Sequence, residues 1–240
     1  MFTDVFFLNL LWKLIEALGI TIPLLLIAGF LGNLLAIPLA LSRLSSRLYF
    51  WVPAYLYILC VRGTPLLVQI YFLYYGLGSL FADWSGIRES FFWPYLRQGF
   101  WYVALALILN TAGYSGEVFR GAIQAVPFGE IEAARAFGMK RGLLLRRIIL
   151  PRAFRIALPT LSGETILLLK ATALASTVAV MDVMQVMRWE WARTFRVYEC
   201  LIAAAIIYFL LTFVITRIFN LFEKHLSKDR QAASTLAMVK

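Results

Sequence analysis

The sequence has few of the residues on which catalytic and metal sites commonly depend. Its 240 residues include one histidine, His225, and two cysteines, Cys60 and Cys200. That inventory supports no histidine-based catalytic triad, no zinc-ligand spacing and no disulfide framework. The sequence also lacks the G-x-x-x-x-G-K-[ST] loop that cradles nucleotide phosphates. We therefore expect a chain that is not an enzyme and that binds no cofactor or metal of its own.

Charged residues are scarce as well, and their placement is informative. They make up 15% of the chain, whereas 62% of the residues are hydrophobic. The hydrophobic residues collect in charge-poor runs that are too long for the core of a globular domain, which indicates a lipid environment. A net charge of +10 would suggest nucleic acid as a partner of a soluble protein. Here the basic residues lie between the apolar runs, so we expect a lipid bilayer and no nucleic acid.

Five of the apolar runs are long enough to cross a bilayer as helices. A helix needs about 20 residues to cross a hydrocarbon core of about 30 Å, and interfacial aromatic residues can extend the shorter runs. The runs do not alternate as the strands of a membrane β-barrel do. The predicted fold is an all-α integral membrane domain over residues 1–240. Its predicted spans are residues 17–42, 50–80, 99–118, 156–181 and 198–219.

The distribution of arginine and lysine predicts the orientation of the chain. Basic residues dominate the first and third loops between spans and the C-terminal tail, whereas acidic and basic residues are balanced in the second and fourth loops. Cytoplasmic loops of membrane proteins carry an excess of lysine and arginine. We therefore expect an inner-membrane protein with a periplasmic N-terminus and a cytoplasmic C-terminus.

The third loop, residues 121–151, predicts a short helix on the cytoplasmic side. Pro127 suits its first turn, Glu130 and Glu132 suit its positive dipole end, and Gly138 suits a left-handed end. A helix of about ten residues is too short to be stable alone in water, so we expect it to dock on a partner. Its small and apolar side chains available for contact are Ala133, Ala134, Ala136, Ile131 and Phe137.

This loop resembles the E-A-A signature of ABC importer permeases, which is E-A-A-x-x-x-G followed by nine residues and I-x-L-P. All fixed positions are present, and they are Glu132, Ala133, Ala134, Gly138, Ile148, Leu150 and Pro151. The resemblance implies a type I importer permease in which this segment is the coupling helix, seated in a cleft of an ATPase subunit. Glu130 and Phe137 are expected to share in that contact.

A second segment resembles the polar amino-acid permeases in particular. Arg62, Gly63, Thr64, Pro65 and Gln69 match an R-G-T-P-x-x-x-Q stretch of that group, and residues 110–121 are similar to the end of its third span. Overall the chain is similar to the M-type subunits of histidine/lysine/arginine and octopine/nopaline uptake systems. One departure is Ala171 after Lys170, where many amino-acid permeases have Asp or Ser.

The resemblance implies a set of partners and a substrate class. We expect a five-helix core, a homologous second permease subunit, two ATPase subunits that bind ATP and magnesium, and a periplasmic substrate-binding protein. The expected substrate is a polar amino acid, with a basic one preferred, or an opine. Glutamine or cystine is the alternative within the same family.

Charged residues inside the spans indicate a substrate path. Arg62 lies in the second span, where the following Gly63, Thr64 and Pro65 are expected to break the helix and to expose backbone groups to a cavity. Arg62 would bind a carboxylate group of the substrate or form an ion pair between spans. Glu164 would accept a cationic group, and Glu117 is expected to pair with Arg120. The candidate path residues are Arg62, Gly63, Thr64, Pro65, Gln69, Glu117, Glu164 and Lys170.

Two other classes of membrane protein fit the sequence less well. An ion-coupled secondary transporter usually shows internal repeats of its spans, which we do not find. An intramembrane enzyme needs a nucleophile with a base, or a metal site, and the single histidine lies in the C-terminal tail.

Overall fold

The computed structural model describes residues 4–238 and the side chains of residues 5–226. Within that range every regular element is helical. The α-helices are α1 (Asp4–Arg43), α2 (Leu48–Gly63), α3 (Leu66–Tyr71), α4 (Gly78–Asp83), α5 (Ser85–Arg88), α6 (Trp93–Leu96), α7 (Gly99–Gln124), α8 (Phe128–Ala136), α9 (Arg141–Leu144), α10 (Leu150–Thr172), α11 (Val183–Thr194) and α12 (Val197–Met238).

Shorter helical segments join several of these elements end to end. A π-helical stretch, Phe72–Leu77, connects α3 to α4, and a second one, Leu145–Ile149, connects α9 to α10. A 3₁₀ segment, Ala173–Val178, follows α10. The chain therefore forms long helices with local changes of helical pitch. A helix can bend or shift register at such positions.

Four helical stretches among the described residues are long and apolar enough to cross a membrane. They are Val5–Arg43, Leu66–Asp83, Arg141–Val178 and Val197–Leu226. Helix α2 is apolar but shorter, and α7, with 26 residues, is not among these four stretches. The all-helical membrane fold is thus confirmed, whereas the count of five spans stays a prediction.

The first two predicted spans differ from the observed helices. The first helix begins at Asp4 and has 40 residues, so it extends beyond the predicted span 17–42 at its N-terminal end, and the start of that span stays a prediction. The predicted second span is two helices, because α2 ends at Gly63 and α3 begins at Leu66. The intervening Pro65 has no N–H to continue a helical ladder, and the predicted break is therefore confirmed.

Helix α7 lies at the centre of the bundle and contacts α1, α2 and α10. Small residues permit these close contacts, as is usual between membrane helices. A Cβ atom on Gly32 of α1 would lie 2.6 Å from the Cβ of Thr111, and one on Gly113 of α7 would lie 2.8 Å from Cγ1 of Val61. The helix backbones therefore approach each other at these glycines.

Three clusters of buried apolar residues follow one another along α1. The first joins the start of α1 to α11 and α12 through Leu14, Met187 and Ala203. The middle cluster includes Leu24, Leu107 and other residues of α1 and α7, and the last joins the end of α1 to α7 and α10. We call the end of the bundle near α8 the inner end, and the end near α11 the outer end.

Candidate functional site

Helix α8 contains the E-A-A signature and has well-defined ends. It has nine residues, and Pro127 precedes it as the N-cap with φ −55° and ψ 127°. The expectation that Pro127 lies in the first turn is therefore wrong by one position. Gly138 has φ +73°, as predicted for a left-handed helix end. The N–H groups of Gly138 and Met139 donate to the carbonyls of Arg135 (2.9 Å) and Ala134 (3.1 Å), which satisfies the last turn as in a Schellman motif.

One side of α8 faces its own subunit and the other is exposed. Ala134 is buried, and Ile131 packs against the inner cluster. The side chain of Phe137 is 91% exposed, and that of Phe128 is 65% exposed. Phe128 is not among the predicted contact residues, although it begins the helix whose apolar residues were expected to make contacts. The remaining signature residues divide into exposed Glu132, Ala133 and Pro151 and half-buried Ile148 and Leu150.

An ion pair connects α8 to the beginning of α10. Arg152 donates from Nη2 and Nε to the same oxygen of Glu130, at 2.6 and 3.1 Å. Both side chains are about one-third exposed, at 32% and 34%. Arg152 directly follows the last proline of the signature but was not predicted to pair with the helix. The contact fixes the position of α8 relative to α10.

A cleft of about 480 Å³ opens beside the break between α2 and α3. It is lined by Arg62, Thr64, Asn110, Tyr114 and Glu164, together with the neighbouring Gly63, Pro65 and apolar residues. Four predicted path residues from one segment and Glu164 from α10, about 100 positions later, are thus brought together. Such a volume lies within the usual range of small-molecule sites.

Gln69 stabilises the break that forms the cleft. Its amide Nε2 donates to the carbonyl oxygens of Val61 (2.8 Å) and Thr64 (3.1 Å), and its Oε1 accepts a bond from Asn110 (3.4 Å). A helix interrupted by proline leaves carbonyl groups without partners, and these are costly to bury unbonded. Gln69 supplies those partners, so its amide acts on the shape of the cleft. Lys170 is exposed on α10 and is not among the described residues that line the cleft.

Arg62 faces both an aromatic ring and a carboxylate. Its guanidinium lies 5.2 Å from the ring centroid of Tyr114, and its charge acts on that of Glu164 across the cleft. Among residues 5–226, no ion pair within 4.0 Å involves Arg62. Its side chain is exposed. The guanidinium is therefore available to a ligand.

Glu117 lies at the inner end of α7 between two arginines. Its Oε2 accepts a bond from Arg120 at 2.8 Å, which confirms the predicted pair, and its Oε1 accepts one from Arg43 at 3.3 Å. The Arg43 guanidinium also lies 5.0 and 4.9 Å from the rings of Trp51 and Tyr55. A second cavity, of about 390 Å³, is lined by Arg43, Tyr55 and Glu117. In the sequence, Arg43 is one of the basic residues between the first two predicted spans, and its partner Glu117 is not evident there.

No group of three or more metal-ligating side chains is found in the described part of the chain.

Comparison with known proteins agrees with this geometry. Residues 31–228 match the family described as "Binding-protein-dependent transport system inner membrane component". The chain is 45% identical over 225 residues to the octopine transport system permease protein OccM of Rhizobium meliloti, covering 92% of this chain and 90% of the relative. It is 40% identical over 218 residues to the histidine/lysine/arginine/ornithine transport system permease protein HisM of Escherichia coli K12, covering 90% of each.

A solved structure has the same fold. The crystal structure of an amino acid ABC transporter with histidines contains a chain that superposes with a TM-score of 0.76 at 32% identity. The match covers 93% of this chain and 97% of that one.

An all-helical membrane domain with an E-A-A helix at one end defines the permease subunit of an ABC importer. The chain belongs to the family of binding-protein-dependent transport system inner membrane components. Members of this family form the membrane part of transporters that also need ATPase and substrate-binding components, and the permease subunit is not itself catalytic. The resemblance found in the sequence is thereby confirmed.

Proposed function

We propose that this permease forms the translocation path of an importer for cationic amino acids or opines. A homologous second permease subunit would complete the path, two ATPase subunits that bind ATP and magnesium would drive it, and a periplasmic binding protein would deliver the substrate. The observation that best supports the substrate class is the presence of Arg62 and Glu164 in one cleft.

The two side chains are complementary to the two ends of a basic amino acid. The Arg62 guanidinium offers the fork of donors that suits an α-carboxylate, and the Glu164 carboxylate suits an ammonium or guanidinium group. Backbone groups at the interrupted α2–α3 segment add polar contacts, as at the broken helices of other transporters. The relatives named for octopine and for histidine, lysine, arginine and ornithine transport support this class.

Helix α8 would couple the path to ATP hydrolysis. In the proposed orientation the N-terminus is periplasmic, and the chain crosses the membrane five times. The basic segment that contains α8 and α9 then faces the cytoplasm. The exposed Phe128, Ala133, Ala136 and Phe137 would enter a cleft of the ATPase, while Ala134 and Ile131 hold the helix on its own subunit. Closure of the ATPases would move α8 as a rigid body and reopen the path inward.

Uptake by the complete transporter in proteoliposomes tests the proposal. We expect ATP-driven uptake of labelled arginine that requires the binding protein and is inhibited by lysine or octopine more than by glutamine or cystine. Arg62→Ala should lower uptake at limiting substrate by about ten- to hundred-fold, as expected for loss of a hydrogen bond to a charged group. Glu164→Gln should lower the uptake of arginine more than the uptake of glutamine.

Three outcomes would contradict the proposal. Stronger inhibition by glutamine or cystine would favour the alternative substrate within the family. Uptake that follows an ion gradient without ATP would favour a secondary transporter. An Arg62→Ala transporter that assembles and works at the normal rate would remove Arg62 from the path.

A further inference from the structure

Two cavities meet at the side chain of Arg62. The cleft contains Glu164, and the second cavity, which lies toward the inner end, contains Arg43, Tyr55 and Glu117. We call this second space the inner cavity. Arg62, Gly63 and Tyr114 line both spaces. The contact between the Arg62 guanidinium and the Tyr114 ring, at 5.2 Å, therefore lies at the boundary between them.

The boundary depends on one movable side chain. Arg62 is exposed, and its neighbour Gly63 has open space where a side chain would begin. Among the described residues the ring of Tyr114 is the aromatic partner of the guanidinium. A cation–π contact is worth only about 1 kcal/mol at an exposed site, so a substrate carboxylate that binds the guanidinium can displace the side chain from the ring.

The two cavities differ in the charge that they offer. Glu164 is a carboxylate in the cleft. In the inner cavity both oxygens of Glu117 are already engaged, Oε1 by Arg43 and Oε2 by Arg120. Stacking on Trp51 and Tyr55 also holds Arg43 in place. The inner cavity therefore has an excess of guanidinium groups and is suited to an anionic group rather than a cation.

We propose that the Arg62–Tyr114 contact closes the cleft toward its inner end, and that the inner cavity is a second binding station for the carboxylate group of the substrate. Arg62 moves from the ring together with the bound carboxylate, and the cationic end stays near Glu164 until the carboxylate reaches the inner cavity. The identity of the substrate rests on the proposed function above. The closure itself does not depend on that identity.

Thiol labelling of the assembled transporter tests the closure without any substrate. Single cysteines are placed at Leu59 in the inner cavity and at Leu167 in the cleft, in a chain with Cys60→Ala and Cys200→Ala. Inside-out vesicles expose the cytoplasmic side to a membrane-impermeant maleimide, and the label on this chain is measured by mass spectrometry. If the Arg62–Tyr114 contact closes the cleft on this side, the cysteine at position 59 should react at least several-fold faster than the one at position 167.

Substitutions of Tyr114 then test whether its ring keeps the cleft closed. Tyr114→Leu removes the ring, whereas Tyr114→Phe keeps it. We expect labelling at position 167 to rise about five-fold in Tyr114→Leu, the factor that corresponds to a cation–π contact of about 1 kcal/mol, and to stay unchanged in Tyr114→Phe. Labelling at position 59 controls for unfolding. Equal rates at both positions in the parent, or equal rates at position 167 in all three proteins, would overturn the closure.

A pair of ligands tests whether the inner cavity binds the carboxylate group of the substrate. Arginine and its decarboxylated analogue agmatine are added to the vesicles at equal concentration, and protection of the cysteine at position 59 is measured. We expect arginine to slow labelling and agmatine to have no effect. Equal protection by both, or by neither, would overturn the station. Arginine uptake by the parent, measured in parallel, reports failure of the proposed function separately.

Discussion

Lys13 of α1 and Glu190 of α11 form an ion pair at 2.7 Å in which the Glu190 side chain is only 3% exposed. Arg193 donates to the other oxygen of Glu190 at 3.1 Å. The contact lies beside the outer apolar cluster and joins the beginning of the chain to the segment between α10 and α12. Helix α11 is therefore held on α1 by charge as well as by apolar packing.

Substitution of Lys13 should lower the stability of the protein by more than the partial exposure of its side chain suggests. Lys13→Met leaves a buried carboxylate with only Arg193 as a partner, and we expect a loss of about 1–3 kcal/mol of stability. Lys13→Arg, which keeps the charge, is the matched control. The apparent melting temperature of the purified complex measures the difference. Equal melting temperatures for the parent and Lys13→Met would show that the pair does not contribute.

Because of Asp182, which lies at the outer end, the stability of the protein should depend on pH. It caps α11 by accepting a bond from the Gln185 N–H at 2.9 Å, and burial raises its pKa from 3.8 to about 6. Between those two values the folded protein keeps a proton that the unfolded chain releases. The stability contributed by this group therefore falls as the pH rises from about 4 to about 6, by up to about 3 kcal/mol.

Substitution of Asp182 separates its charge from its capping role. Asp182→Asn keeps a side chain that caps a helix equally well and cannot ionise, so its melting temperature should exceed that of the parent at pH 7.5 and match it more closely at pH 5. Asp182→Ala also loses the cap, at a cost of about 1 kcal/mol. A parent protein and an Asp182→Asn variant with the same pH profile would contradict the argument.

The Glu130–Arg152 pair should affect coupling more than stability. Both groups are partly exposed, so breaking the pair should cost no more than about 1 kcal/mol. If α8 transmits the movement of the ATPase, Arg152→Gln should lower the number of substrate molecules transported per ATP hydrolysed. The charge-reversed double variant, Glu130→Arg with Arg152→Glu, should recover part of that ratio. An unchanged ratio in the single variant would exclude a role for the pair in coupling.

Gly32 and Gly19 of α1 provide a matched test of close packing. A Cβ at position 32 would lie 2.6 Å from the Cβ of Thr111, whereas nothing lies within 4 Å of a Cβ at position 19. We expect Gly32→Ala to cost about 1–3 kcal/mol and Gly19→Ala to be neutral or stabilising by roughly 0.5–1 kcal/mol. Melting temperatures of the two variants measure the contrast, and equal effects would mean that α1 does not approach α7 as closely as described.

Gly138 should be needed for docking of the ATPase. With φ +73°, an alanine at this position costs about 1–2 kcal/mol, and the end of α8 would shift. We expect Gly138→Ala to lower the amount of ATPase that co-purifies with the permease. Gly142→Ala is the control, because that glycine has a negative φ and open space around it. Unchanged co-purification of Gly138→Ala would argue against α8 as the docking element.

Much of the fold follows from local sequence features. Apolar runs locate the long helices, because a lipid environment excludes charge over about 20 residues. Pro65 predicts the break beside Arg62, and the glycine of the signature predicts the end of α8. These features act within one or two helical turns, so no knowledge of tertiary contacts is needed to interpret them.

The remaining features depend on contacts between distant segments. The predicted first span begins at residue 17 because Lys13 and Glu16 interrupt the apolar run, yet Lys13 is paired with Glu190, 177 residues away. Arg43 looks like a solvated loop residue until Glu117, 74 residues away, is placed beside it. Phe128 and Ile131 are both apolar residues of α8, and only packing shows that Ile131 faces inward.

The π-helical stretch Leu145–Ile149 lies between α8 and α10 along the chain. A π-helical turn closes i→i+5 hydrogen bonds and is one of the places at which helices kink, so we expect it to be more easily deformed than the flanking α-helices. A displacement of α8 that travelled only along the backbone would be partly absorbed there. The Glu130–Arg152 bond bypasses that link, since it joins α8 directly to the third residue of α10. The chain thus has a backbone connection and a side-chain connection between α8 and α10 in parallel, and a single substitution removes the side-chain one.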